Sequence, residues 1–151
     1  MKILRRILII SFLSVIHTAC EEEVVSPIPY APVNMSLDLT GKDNSLNGSL
    51  SYKEYTSRLL ETDRLGYGGI LVINGIGEST VNLYAYDLVC PNEAQREVKI
   101  KPESSGLHAI CSKCNAVYDI ANGGFPESGS RYWLRRYNVI QLSETQYRIT
   151  N

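Results

Sequence analysis

A chain of 151 residues with 15 Lys and Arg against 16 Asp and Glu has a formal charge of −1, which leaves no electrostatic case for nucleic-acid binding. Hydrophobic residues make up 44% of it, with ten Tyr and two Phe, a composition that suits a globular domain rich in half-buried strand positions. Once an N-terminal export segment is set aside, roughly 120 residues are left, enough for one core and too few for two.

The chain begins with positive charge at Lys2, Arg5 and Arg6, followed by an uncharged apolar run over residues 7–16, the pattern of a signal peptide. Ten apolar residues span only about 15 Å as a helix, roughly half the hydrocarbon core of a bilayer, so the run is read as a processed segment and not as a permanent span. Thr18-Ala19-Cys20 resembles a lipobox, which implies a diacylglyceryl group on Cys20 and cleavage before it; His17 departs from that pattern, which has an aliphatic residue there. Glu21, Glu22 and Glu23 follow at once. This acidic run keeps the tether off anionic lipid and resembles the export signal of Bacteroidetes surface lipoproteins, which implies an outer-membrane, surface-exposed location. Pro27, Pro29 and Pro32 exclude helix and central strand, so residues 24–32 are expected to form an extended spacer. The resulting division is a signal peptide over residues 1–19, a lipidated tether over 20–32 and a folded domain over 33–151.

Within the domain most segments read as short strands. Residues 33–39 alternate apolar and polar side chains, a half-buried strand. Residues 41–48 form a polar loop. Over residues 52–65, Tyr52, Tyr55, Leu59 and Leu60 have helical spacing; a short helix or loop is expected, with a strand pair as the alternative. Residues 70–73 are a continuous apolar run between glycines, consistent with a buried strand, and Asn74-Gly75 supplies a turn. A strand over 81–89 leads to Cys90. Residues 97–101 and 107–110 are expected to pair across a turn at 102–106, and 116–120 is another strand. After the turns at Asn122-Gly123-Gly124 and Gly129 come a long strand over 132–142 and a last one over 146–149. Many short strands with little helix predict an all-β, two-layer antiparallel architecture.

With Cys20 assigned to lipid, Cys90, Cys111 and Cys114 are left. The Cys-x-x-Cys knuckle lets two thiolates converge on one metal, while an exported protein leaves a disulfide or free structural cysteines open. The run Cys111-Ser112-Lys113-Cys114-Asn115-Ala116-Val117-Tyr118-Asp119, then Asn122-Gly123-Gly124 and Ser128-Gly129-Ser130, resembles the second cluster-binding loop of Rieske proteins. Tyr118-Asp119 match that family's aromatic-Asp pair and Leu134-Arg135-Arg136-Tyr137 its final Leu-x-x-Tyr strand, while Cys90-Pro91-Asn92 falls where the family has Cys-x-His. The likeness covers about residues 70–150. It implies a Rieske-like antiparallel β-sandwich with a small inserted subdomain carrying two ligand loops.

The departures change the chemistry that the resemblance implies. A Rieske centre has two cysteines on one iron and two histidines on the other, and here Asn92 and Cys114 stand at the histidine positions. Asn is a poor ligand and Cys a good one, so the site offers three thiolates and one defective corner. Gln95 and Lys113 stand near the positions of the extra cysteine pair by which some Rieske proteins clamp their loops. Glu93 is within reach of a zinc ion as an oxygen ligand. His108 lies three residues before Cys111 on a strand, so its side chain is expected on the opposite face. No serine, cysteine and histidine grouping suggests a nucleophile with its base, and the glycines at 66–69 and 75–77 lack the Lys-Ser/Thr of a phosphate loop. Three readings follow. The leading one is a membrane-anchored, non-catalytic structural or interaction module with an empty, degenerate [2Fe-2S] site and a protein partner of unknown identity. The others are an electron-transfer protein retaining a [2Fe-2S] cluster on Cys90, Cys111, Cys114 and a substitute ligand, and a zinc-stabilised module using the same three thiolates.

Overall fold

The computed structural model describes residue 24, residues 26–77 and residues 81–151. The export segment, Cys20 and the acidic run lie outside the described residues. Among the described residues the chain forms eleven strands and one short 3-10 turn at Asn44–Asn47. The strands are β1 (Val33–Asp38), β2 (Tyr52–Tyr55), β3 (Arg64–Leu65), β4 (Ile70–Asn74), β5 (Leu83–Asp87), β6 (Ile100–Pro102), β7 (His108–Cys111), β8 (Val117–Asp119), β9 (Pro126–Ser128), β10 (Arg136–Gln141) and β11 (Gln146–Thr150). A seven-stranded sheet runs β2-β4-β5-β10-β11-β1-β3, and a four-stranded sheet runs β6-β7-β8-β9. The recorded ladders are all antiparallel. The fold is therefore all-β and antiparallel, and the small sheet is an insertion between β5 and β10 of the large one.

The alternation of β1 is read out directly, with Val33, Met35 and Leu37 buried against Tyr147 and Ile149 of β11 while Asn34 and Ser36 face solvent. β4 explains its own lack of alternation. Ile70 and Val72 point into the core of the large sheet, together with Met35, Leu37, Leu46 and Ile149. Leu71 and Ile73 point the other way, into a second core shared with Ile100, Ala109, Tyr118 and Ile120 of the small sheet region. A strand with a core on each face must be apolar at every position, and all five residues of β4 are buried.

β5 is used in the same double way, with Ala85 in the first core and Tyr86 in the second. At its end Asp87, fully buried, accepts hydrogen bonds from the amides of Tyr67 (2.8 Å), Gly68 (3.2 Å) and Val89 (2.9 Å) and from the Tyr137 hydroxyl (2.6 Å). A buried carboxylate is tolerable only with its lone pairs filled in this way. It ties the 66–69 turn, the exit of β5 and β10 to one point, next to the start of the Cys90 loop.

Three segments differ from the sequence reading. Residues 52–65 form β2 and β3 with a loop between them and no helix; β4 needs partners on both edges, and β2 supplies one through Tyr52↔Ile73 and Tyr55↔Ile70. Leu59 and Leu60 of the supposed helical stripe are 55% and 56% exposed, so no helical face is buried there. The long strand expected over 132–142 begins only at Arg136, because Leu134 donates its amide to Gly124 at 2.9 Å, outside the ladder. The described residues of the expected spacer, 24 and 26–32, hold neither helix nor strand, and its end is docked. Ile28 is buried, its carbonyl accepts from the Arg135 guanidinium at 2.8 Å, and the Ala31 carbonyl accepts from the Asn151 side chain at 3.1 Å.

Candidate metal centre

Two loops carry the cysteines and are built as the same turn. After β5, Cys90 receives at its carbonyl the amide of Ala94 (2.9 Å); after β7, Cys111 receives that of Asn115 (2.8 Å). Both fifth residues are left-handed, Ala94 at φ +50° and Asn115 at φ +58°. Asn tolerates this conformation, whereas Ala gives up about 1–2 kcal/mol to adopt it, so the rest of the loop must enforce it. In the second loop the first and fourth residues, Cys111 and Cys114, come together; in the first loop the first is Cys90 and the fourth is Glu93, whose carboxylate is taken by Lys113.

The small sheet brings the loops face to face. The Sγ atoms of Cys90, Cys111 and Cys114 all lie within 4.8 Å of one another, with Cys90 and Cys114 at 3.6 Å. Cys90 and Cys111 are buried and Cys114 is half-buried, and none is in a disulfide. Asn92 is beside them, its amide hydrogen-bonded to the Cys114 sulfur and to the Gly129 carbonyl at 3.3 Å. Asn92 and Cys114 are therefore neighbours in space. The Ser128-Gly129-Ser130 segment closes a further side. Gly129 is at φ +74°, and a Cβ there would stand 2.9 Å from the Ala116 Cα, so only glycine fits.

The electrostatics separate the thiols. Burial is the main influence on Cys90 and pushes its thiol up to about 12. Burial opposes ionisation of Cys114 too, but hydrogen bonds from the Ala116 amide, Asn92 and the two neighbouring cysteines outweigh it and hold this thiol below its ordinary value. The Tyr118 hydroxyl approaches the Cys90 sulfur at 3.6 Å and also bonds Ser130. Burial, first of all, holds that hydroxyl protonated beyond the usual tyrosine range, so hydroxyl and thiol meet as two protonated groups, either of which can donate.

Glu93 is placed differently from a free ligand. Its carboxylate pairs with Lys113 Nζ at 2.6 Å, and the same nitrogen donates to Gln95 Oε1 at 3.1 Å. The tip of one loop is thus clamped to the other by an ion pair and a hydrogen bond. Sequence reasoning did not foresee the clamp or the Tyr118 hydroxyl on Cys90. The signal for the clamp was present as opposite charges on two short cysteine loops. His108 lies apart, half-exposed on β7 with Glu103 (3.4 Å) and Glu127 (3.2 Å) around its ring, while Cys111 of the same strand points inward as the two-residue period requires.

Two occupants make different demands on this donor set. Zinc–sulfur bonds of about 2.3 Å in a tetrahedron set sulfurs about 3.8 Å apart, which the 3.6 Å separation of Cys90 and Cys114 meets. A [2Fe-2S] cluster with Cys90 and Cys114 on different irons would require these sulfurs to separate beyond 3.6 Å, since irons and sulfides stand between them.

No protein-family model matches the chain, and no curated protein matches it either. Among solved structures the chain is similar to one from the "Complex of reduced oxygenase and oxidized ferredoxin in carbazole 1,9a-dioxygenase", at 13% identity, with 78% of this chain and 93% of that chain covered and a TM-score of 0.44.

Proposed function

We propose that the protein is a membrane-anchored, non-catalytic structural or interaction module of Rieske-like fold, whose degenerate ligand loops hold a single zinc ion in place of a [2Fe-2S] cluster. The observation that carries this reading is the convergence of three thiols from two matched loops within 4.8 Å. Cys90, Cys111 and Cys114 supply the thiolates. Glu93 occupies the loop position equivalent to Cys114 and is the residue that would take the fourth place, on release from Lys113, where a water does not. Three thiolates on a dication leave one net negative charge, which Lys113 stands ready to offset. Zinc supplies no redox chemistry here. Its role is to fix the two loops, as closed sites of this donor type do. Anchoring rests on the lipobox resemblance at Cys20, and surface exposure rests on the acidic run after it.

The test is elemental analysis with visible spectroscopy on the detergent-purified full chain, prepared without oxygen. One zinc per chain in a colourless protein, lost in Cys111→Ser, is the expected result. Two irons with visible absorption would replace the zinc reading by electron transfer, and a metal-free chain would leave a module without a centre. Cys20→Ser should move the protein out of the membrane fraction; retention there would end the lipoprotein reading.

A further inference from the structure

Beside the first cysteine loop, and separate from the thiols, lies a cleft of about 470 Å³, within the range of small-molecule sites. Three stretches far apart in sequence meet there: the loop after β2 with Arg58, the glycine-flanked Tyr67 before β4, and the segment between Cys90 and β6 with Arg96, Glu97 and Lys99. Three cations and one acid line it, in a chain whose acids outnumber its bases 16 to 15. Among the described residues, none of Arg58, Arg96 and Lys99 has a carboxylate within ion-pair distance. Cations gathered in a concavity without counter-charges raise the local concentration of anions.

The walls are fixed in advance. The Arg96 guanidinium lies over the Tyr67 ring at 5.6 Å, which restricts an otherwise mobile side chain. The Tyr67 and Gly68 amides are held from below by Asp87. That carboxylate is buried and already filled by Gly68, Tyr67, Val89 and Tyr137, so it does not serve as the counter-ion of the cleft.

We propose that this cleft binds a small polyanion, a compound with two or more phosphate or carboxylate groups, held between Arg58, Arg96 and Lys99. One charged group would span Arg96 and Lys99 and a second would reach Arg58, with Glu97 the one lining acid, whose like charge turns the ligand's anionic groups toward the three cations. The reading is independent of the zinc reading, since the cleft shares no residue with the three thiols.

The test is isothermal titration of the detergent-purified full chain with inorganic pyrophosphate and, separately, with citrate. Saturable one-to-one binding of at least one probe is expected, and the tighter of the two assigns the ligand to the phosphate or the carboxylate class. Arg96→Gln and Lys99→Gln should each weaken it about tenfold, the loss of one charge-assisted hydrogen bond. Arg131→Gln, which removes the same charge from an exposed arginine outside the cleft, should leave it unchanged. Absence of saturable heat with both probes, or equal weakening by all three variants, would overturn the proposal. Metal content measured on the same samples separates this outcome from failure of the zinc reading.

Discussion

The two cores of this molecule are both filled with large side chains and differ in what supports them. Between β1, β4, β10 and β11 the buried residues include Met35, Leu37, Leu46, Ile70 and Ile149 with Tyr55, Tyr137 and Tyr147. Around the small sheet Leu71, Ile73, Tyr86, Leu88, Ile100, Tyr118 and Ile120 are joined by Cys90, Ala109, Cys111 and Ala116, and the strands there are three or four residues long. Short ladders give few hydrogen bonds. The second core therefore leans on β4 and β5 from the large sheet, which supply Leu71, Ile73 and Tyr86, and on the loop clamp. The part of the fold that carries the candidate chemistry is the part that borrows its core from the other sheet.

Asp87 belongs to both regions and gives the severest way to break the comparison. Asp87→Ala strands four donors and should cost at least about 5 kcal/mol, destabilising the whole chain in denaturant titrations; loss confined to one sheet would show that β5 does not couple the cores. Zinc at a thousandfold over its Kd should add about 4 kcal/mol. In hydrogen exchange the gain should appear in the amides of β6–β8, and protection spread evenly over β1 and β11 would contradict the division. Leu37→Ala should cost about 3 kcal/mol through its cavity with the metal affinity unchanged, which unfolding curves and a competition titration would read. Tyr118→Phe is the mildest, at about 1 kcal/mol for one hydrogen bond, with its second effect on the Cys90 sulfur seen as a shift in the spectrum of a cobalt-substituted site.

What the sequence revealed follows how local each feature is. The buried run of β4 and the opposed faces of His108 and Cys111 depend on periodicity within a few residues and appear as read, and the β6–β7 pair forms across its turn with β6 shifted from the expected 97–101 to Ile100–Pro102. The cysteine spacing located the two loops, whereas the contact of Asn92 with Cys114 joins residues that no local period links. By contrast, β2 was obscured because Tyr52, Tyr55, Leu59 and Leu60 mimic a helical stripe, and only the need of β4 for an edge partner settles it. β9 has two exposed polar residues in three and leaves no apolar pattern to read. The clamp of Lys113 on Glu93 and Gln95 joins loops about twenty residues apart, and a salt bridge at that separation has no periodicity to betray it.

The docked Pro-rich segment sets a length. With Ile28 buried and Ala31 bonded to Asn151, the chain is held to the domain almost back to Ser26, and six residue steps separate Ser26 from Cys20. Fully extended, six steps reach at most about 20 Å, so a lipid on Cys20 would keep the domain within one protein diameter of the bilayer. If Cys20 is lipidated as proposed, a partner would have to meet the domain in the headgroup layer or on a neighbouring membrane protein, because such a leash would be too short for capture at a distance.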